Sequence, residues 1–126
     1  MKSARETKNA PAAIGPYSQA ICFNKTLFIS GQIPLDPASG NIVGNDIESQ
    51  THQVLKNIDT ILQKAGTSKD NIIKTTIFIT NMTEFPLVNT IYEDYLNGTL
   101  FPARSTIEVS ALPKGALVEI EVIAAL

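Results

Sequence analysis

At 126 residues and 44 % hydrophobic content, the chain is long enough for one domain with an ordinary core and too short for two. A net charge of −2 with no Lys/Arg cluster argues against a nucleic-acid-binding face, and a single cysteine, Cys22, excludes an intrachain disulfide and a cysteine-based zinc site. No run of 18 apolar residues and no leader pattern is present, so a soluble, reducing compartment such as the cytoplasm is the expectation.

Residues 1–16 read as irregular, because Pro11 and the Gly15-Pro16 pair do not fit inside a helix or a central strand. Tyr17 to Phe23 reads as a strand, Asn24-Lys25 as a tight turn, and Thr26 to Ser30 as the returning arm of a hairpin ended by Gly31. Pro34 to Gly44 carries turn chemistry and reads as loop. A helix follows, capped by Asn45 or Asp46, with Glu48 placed to complete a capping box with Asn45. Val54, Leu55, Ile58, Ile61, Leu62 and Ala65 form its apolar stripe, and Gly66 stops it.

The β-branched run Asn71 to Thr80 predicts a strand with Ile73, Thr75, Ile77 and Ile79 on one face and Lys74, Thr76 and Phe78 on the other. Thr83 is placed to cap a second helix that buries Phe85, Val88, Tyr92 and Tyr95 or Leu96, and Asn97-Gly98 closes it. Two strands finish the chain, about 104–111 and 117–125. The order β-β-α-β-α-β-β predicts an α+β sandwich with both helices on one face of a mixed sheet. In the penultimate strand Ser105, Ile107, Val109 and Ala111 alternate with Arg104, Thr106, Glu108 and Ser110; in the last, Val118, Ile120, Val122 and Ala124 alternate with Glu119, Glu121 and Ile123. The apolar sets are expected to meet the helices. The polar sets, which also include Phe78 and Ile123, are expected to be solvated or to pack against other subunits; a charged fraction of only 17 % favours the second.

Few residues in the chain are suited to carry chemistry. Arg104 is one of two arginines, set at the head of a strand by Pro102. An exposed strand arginine is ordinarily a weak surface ion pair, but its planar fork also grips a carboxylate in a way lysine does not reproduce. If the last two strands are adjacent, alternation puts Arg104 on the same face as Glu119 and Glu121. A glutamate in a partly closed cleft has a raised proton affinity and serves as a general base at neutral pH. Tyr17, Ser30 and Gly31 sit on the first hairpin, where a hydroxyl and a backbone N–H could meet a ligand. His52 lies off the helical apolar stripe and reads as exposed; one His and one Cys are too few for a transition-metal site. Neither GxGxxG nor the P-loop pattern occurs.

Four segments in order carry a resemblance: Ala10-Pro11-Ala12-Ala13-Ile14-Gly15-Pro16-Tyr17-Ser18-Gln19; Ile29-Ser30-Gly31-Gln32-Ile33-Pro34; Val88-Asn89-Thr90-Ile91-Tyr92; and Pro102-Ala103-Arg104-Ser105 with Leu112-Pro113 and Val118-Glu119-Ile120. Together they resemble the RidA/YjgF family of reactive-intermediate imine deaminases, from about residue 7 to the last residue, as one RidA-like domain over 1–126. The resemblance implies a chorismate-mutase-like fold and a homotrimer with clefts between subunits. It also implies cofactor-free hydrolysis of 2-imino or 2-enamino acids, with no metal. In that reading Arg104 holds the substrate carboxylate, Glu119 activates water, and Tyr17, Ser30 and Gly31 line the cleft. Asn89 matches a recurrent position of less defined role. Thr106 stands in the cleft where many members have cysteine, which removes any thiol-based mechanism there. Two other readings use the same residues: a non-catalytic sensor or chaperone holding a 2-oxo acid at Arg104, and an endoribonuclease or translation inhibitor, against which the charge and lone His52 argue.

Overall fold

The computed structural model describes residues 1–126. Eight regular elements follow one another: β1 (Ser3–Arg5), β2 (Ala20–Phe23), β3 (Thr26–Gln32), α1 (Ile47–Lys64), β4 (Ile72–Ile79), α2 (Phe85–Tyr95), β5 (Ala103–Glu108) and β6 (Val118–Ala125). They build one six-stranded sheet in the order β1-β2-β3-β6-β4-β5, with both helices on one face. This is the expected α+β architecture of two helices on a mixed sheet. The added strand β1 corrects the irregular reading of residues 1–16: Ser3 to Arg5 pair with Ala20 to Cys22 along an edge that would otherwise be bare.

Local chemistry explains each boundary. Asn24 and Lys25 both take positive φ, 49° and 59°, the twist that a two-residue hairpin turn requires. Asp46, not Asn45, caps α1. Its carboxylate accepts from the backbone N–H and the hydroxyl of Ser49, so Glu48 takes no part in a capping box. These bonds hold the Asp46 carboxyl below its usual pKa. The second helix is also entered differently from expectation. Asn81, not Thr83, caps a short 3₁₀ turn over Met82–Glu84, and α2 follows from Phe85 with Pro86 in its first turn.

The core lies between the helices and the inner sheet face. Leu27, Ile77, Ile79, Val118 and Ile120 meet Val54, Ile58, Leu62, Val88 and Leu96, all excluded from solvent. At about 1.5–3 kcal/mol for each large apolar side chain, their burial is the main force holding helices to sheet. Inside this layer Asn57 donates to the Leu35 carbonyl (3.0 Å) and Gln50 accepts from the Leu117 backbone (2.8 Å), tying two loops to α1.

Two expectations about faces are overturned. A β-bulge against β6 shifts the register between Ile72 and Lys74, so Ile72 is buried and Ile73 turns outward, half exposed. In β5, Arg104 pairs with buried Thr75, which pairs with buried Val122, so Arg104 and Thr106 lie on the helix side. Ile107 pairs with Phe78 and lies on the outer face with Ser105. Regular pairing of β5 ends at Glu108, short of Ala111. The outer face therefore presents Phe23, Phe28, Ile73 and Ile107 at 44–50 % exposure, large apolar side chains that no element of the chain covers.

Candidate active site

Arg104 is the second residue of β5, an edge strand that runs parallel to β4 and is reached through α2. Phe85, Asn89 and Tyr92 of α2 recur at i, i+4 and i+7, one face of a helix, and that face meets Arg104. The guanidinium carbon lies 5.1 Å from the ring centres of both Phe85 and Tyr92. Arg104 Nη1 donates to Asn89 Oδ1 at 2.6 Å. A guanidinium carries five N–H donors, and its bond within the chain goes to an amide rather than a carboxylate. Beside it opens a depression of about 390 Å³, walled by Asn89, Tyr92, Glu93, Phe101 and Pro102. Tyr92 is itself buried, with its hydroxyl 2.7 Å from Thr75 Oγ1. Burial raises its phenol pKa above the usual value, opposed by the Thr75 bond and by the Arg104 charge.

The second cluster lies on the other side of the sheet. Tyr17, Ser30, Gly31, Pro113, Glu119 and Glu121 surround a depression of about 490 Å³. A register shift between Ile29 and Gln32 loosens β3 from β6 there, and the Glu119 side chain lies against Gly31. A Cβ on Gly31 would sit 2.8 Å from Glu119 Cδ, so glycine is needed for space, not for backbone conformation. Glu119 is partly buried and Glu121 exposed. Burial, and next the Glu121 charge, hold the Glu119 carboxyl above its usual pKa. The Ser30 hydroxyl donates to the Ser18 carbonyl at 2.6 Å, which leaves its oxygen free to accept from a ligand. Tyr17 stands half exposed at the rim.

The residues expected to form one site thus fall into two groups. Arg104 with Asn89 is one; Tyr17, Ser30, Gly31 and Glu119 are the other. The expectation that Arg104 and Glu119 share a face is corrected: β4 runs between their strands, and Glu119 pairs with outward Phe78 while Arg104 pairs with inward Thr75. Thr106 is partly buried beside Ile77 and lines neither depression. Glu119 and Glu121 both reach the outer depression, with Glu119 seated deeper. Phe85 and Tyr92 read from sequence as core alone; their spacing with Asn89 was the available signal of a shared face. Phe101 had no sequence signal of its own, and Thr75 and Pro113 had none that pointed to a site. His52 is exposed in a groove between α1 and α2 with Tyr95, and Cys22 is buried.

The family model described as endoribonuclease L-PSP matches residues 7–126. A mouse protein named 2-iminobutanoate/2-iminopropanoate deaminase is 49 % identical over 118 residues, covering 94 % of this chain and 87 % of the mouse protein. Among solved structures, a Rid-family protein of unknown function from Yersinia pestis superposes with a TM-score of 0.98 at 70 % identity over the full length of both chains. The TdcF protein of E. coli, solved with bound serine, superposes with a TM-score of 0.94 at 39 % identity, covering 98 % of each chain.

Proposed function

The chain belongs to the RidA/YjgF family, and we propose that it is a cofactor-free hydrolase converting 2-imino and 2-enamino acids, such as 2-iminobutanoate and 2-aminoacrylate, into 2-oxo acids and ammonia. The observation that carries this reading is the setting of Arg104. Its guanidinium is held by an amide and two rings at an open depression, and its remaining donors suit a planar carboxylate. The deaminase name of the mouse relative and the serine bound to TdcF, a small amino acid with a carboxylate, point to the same ligand class.

In the reaction Arg104 fixes the carboxylate and so orients C2 of the imine. Glu119, as the carboxylate, takes a proton from water while the water oxygen bonds to C2, and that proton passes on to the imine nitrogen, which leaves the carboxylate ionised again. The carbinolamine then collapses: its hydroxyl proton is transferred to the amine, the C–N bond breaks, ammonia leaves and the 2-oxo acid remains. Free imines already hydrolyse in water, so positioning with one general base, typically about 10²–10⁴-fold, suffices. Ser30 and Tyr17 line the wall beside the attacked carbon.

Because Arg104 and Glu119 lie on opposite faces of one sheet, no small molecule touches both within one chain. We therefore place the site between copies, the arginine depression of one closing over the glutamate depression of the next, in a homotrimer. The uncovered apolar outer face and the low charged fraction support such an assembly.

The test is release of ammonia and 2-oxo acid when an amino-acid dehydratase or oxidase generates the imine in situ. Arg104→Ala is expected to lose at least about 10²-fold, and Arg104→Lys to recover little of it. Full activity of Arg104→Ala contradicts the assignment. Salt-sensitive RNA cleavage abolished by Glu119→Ala would replace it with the nuclease reading.

A further inference from the structure

We propose that Tyr92 and Phe85 are positioning residues for Arg104: their two rings hold the guanidinium in place before substrate arrives, and Thr75 fixes the Tyr92 ring from beneath. The inference rests on Arg104 being the carboxylate anchor of the proposed reaction.

Attraction between a cation and ring faces uses none of the guanidinium's N–H donors. A salt bridge would hold the same side chain by spending donors and cancelling its charge. Here the two rings lie at equal distance, 5.1 Å, and the single hydrogen bond goes to the neutral Asn89. The arginine is thus localised with its charge and most of its donors still available. An exposed arginine without such contacts has many rotamers to lose when it binds.

The support beneath is equally specific. Tyr92 is 5 % exposed and Thr75 2 % exposed. Their hydroxyls meet at 2.7 Å, and Thr75 is the β-ladder partner of Arg104 itself. The strand that carries the arginine is therefore in register with the residue that anchors the ring facing it. Phe85, at the first position of α2, packs on the core edge and needs no polar partner.

Binding of 2-oxobutanoate, measured by calorimetry, and steady-state kcat and KM on in situ imine test the idea. Tyr92→Leu and Phe85→Leu are expected to weaken 2-oxobutanoate about 10-fold and to raise KM similarly, with kcat within about threefold. Tyr92→Phe keeps the ring and loses only the hydroxyl, and is expected to weaken binding by about threefold. The neutral 2-oxobutanamide offers the guanidinium hydrogen-bond acceptors but no opposite charge, so its affinity is expected to fall less on ring loss than that of 2-oxobutanoate. Equal binding by wild type and both leucine variants overturns the proposal, as does Tyr92→Phe behaving like Tyr92→Leu, or a fall in kcat at unchanged KM. If no imine is turned over but 2-oxobutanoate binding follows the rings, the deaminase reading fails and the ring clamp stands. If wild type binds no 2-oxobutanoate, the clamp has no function and is overturned.

Discussion

The two depressions differ in how they are built. The arginine side is assembled by one helix leaning over an edge strand, and every group touching the guanidinium is neutral. The glutamate side is assembled by two adjacent strands, and the group it presents is crowded by backbone and by a like charge. The first arrangement preserves a charge for binding. The second raises a proton affinity, which is what a base working near neutral pH requires. In the proposed reaction, affinity and chemistry are thus divided between opposite faces of one sheet, and each half can be disturbed by its own substitutions.

Gly31→Ala breaks the glutamate half most sharply. The added methyl needs the space held by Glu119 Cδ, 2.8 Å away, so the carboxylate must move. A misplacement of this size is expected to lower kcat on the order of 10²-fold, while 2-oxobutanoate binding at the arginine half stays near wild type. Loss of binding with kcat intact would reverse the assignment of the two halves.

Glu121→Gln gives a smaller, directional effect. As the proposed base, Glu119 must be ionised to take a proton, so kcat/KM is expected to rise with pH through its pKa, which lies above that of an ordinary glutamate. Removing the like charge leaves burial as the cause of the shift, so the acid limb moves to lower pH. An acid limb unmoved by Glu121→Gln, in a protein of unchanged stability, would show that Glu121 does not act on the base.

The same contrast explains what was legible in the sequence. Hairpin, helices and the chain order from β2 to β6 follow from turn residues and apolar periods, and they appear almost where expected; β1 and the place of β4 between β5 and β6 do not. The faces of β5 and the start of β4 do not follow in the same way. Periodicity tells which residues share a face but not which face meets the helices, and Ile107 looked like core because it is apolar. In the fold it belongs to the second apolar surface, the outer one, which a single chain leaves bare. The bulge at Ile72 and Ile73 changes parity with no residue to announce it. Gly31 was visible as a strand end, whereas its closeness to Glu119 comes from the pairing of β3 with β6, which local sequence does not encode. Arg104 and Glu119 stand out by their chemistry and strand alternation, and Asn89 through family resemblance; the aromatic setting of Arg104 needed the structure.

In the proposed assembly one site takes its arginine from one copy and its glutamate from another. Arg104→Ala and Glu119→Ala chains, each inactive alone, can be unfolded together in equal amounts, refolded and assayed for deamination. If the two halves meet across subunits, random mixing pairs an intact arginine side with an intact glutamate side in about one site in four, so about a quarter of wild-type activity returns. If the mixture remains as inactive as its components while assembling normally, the site is not shared and the account is wrong.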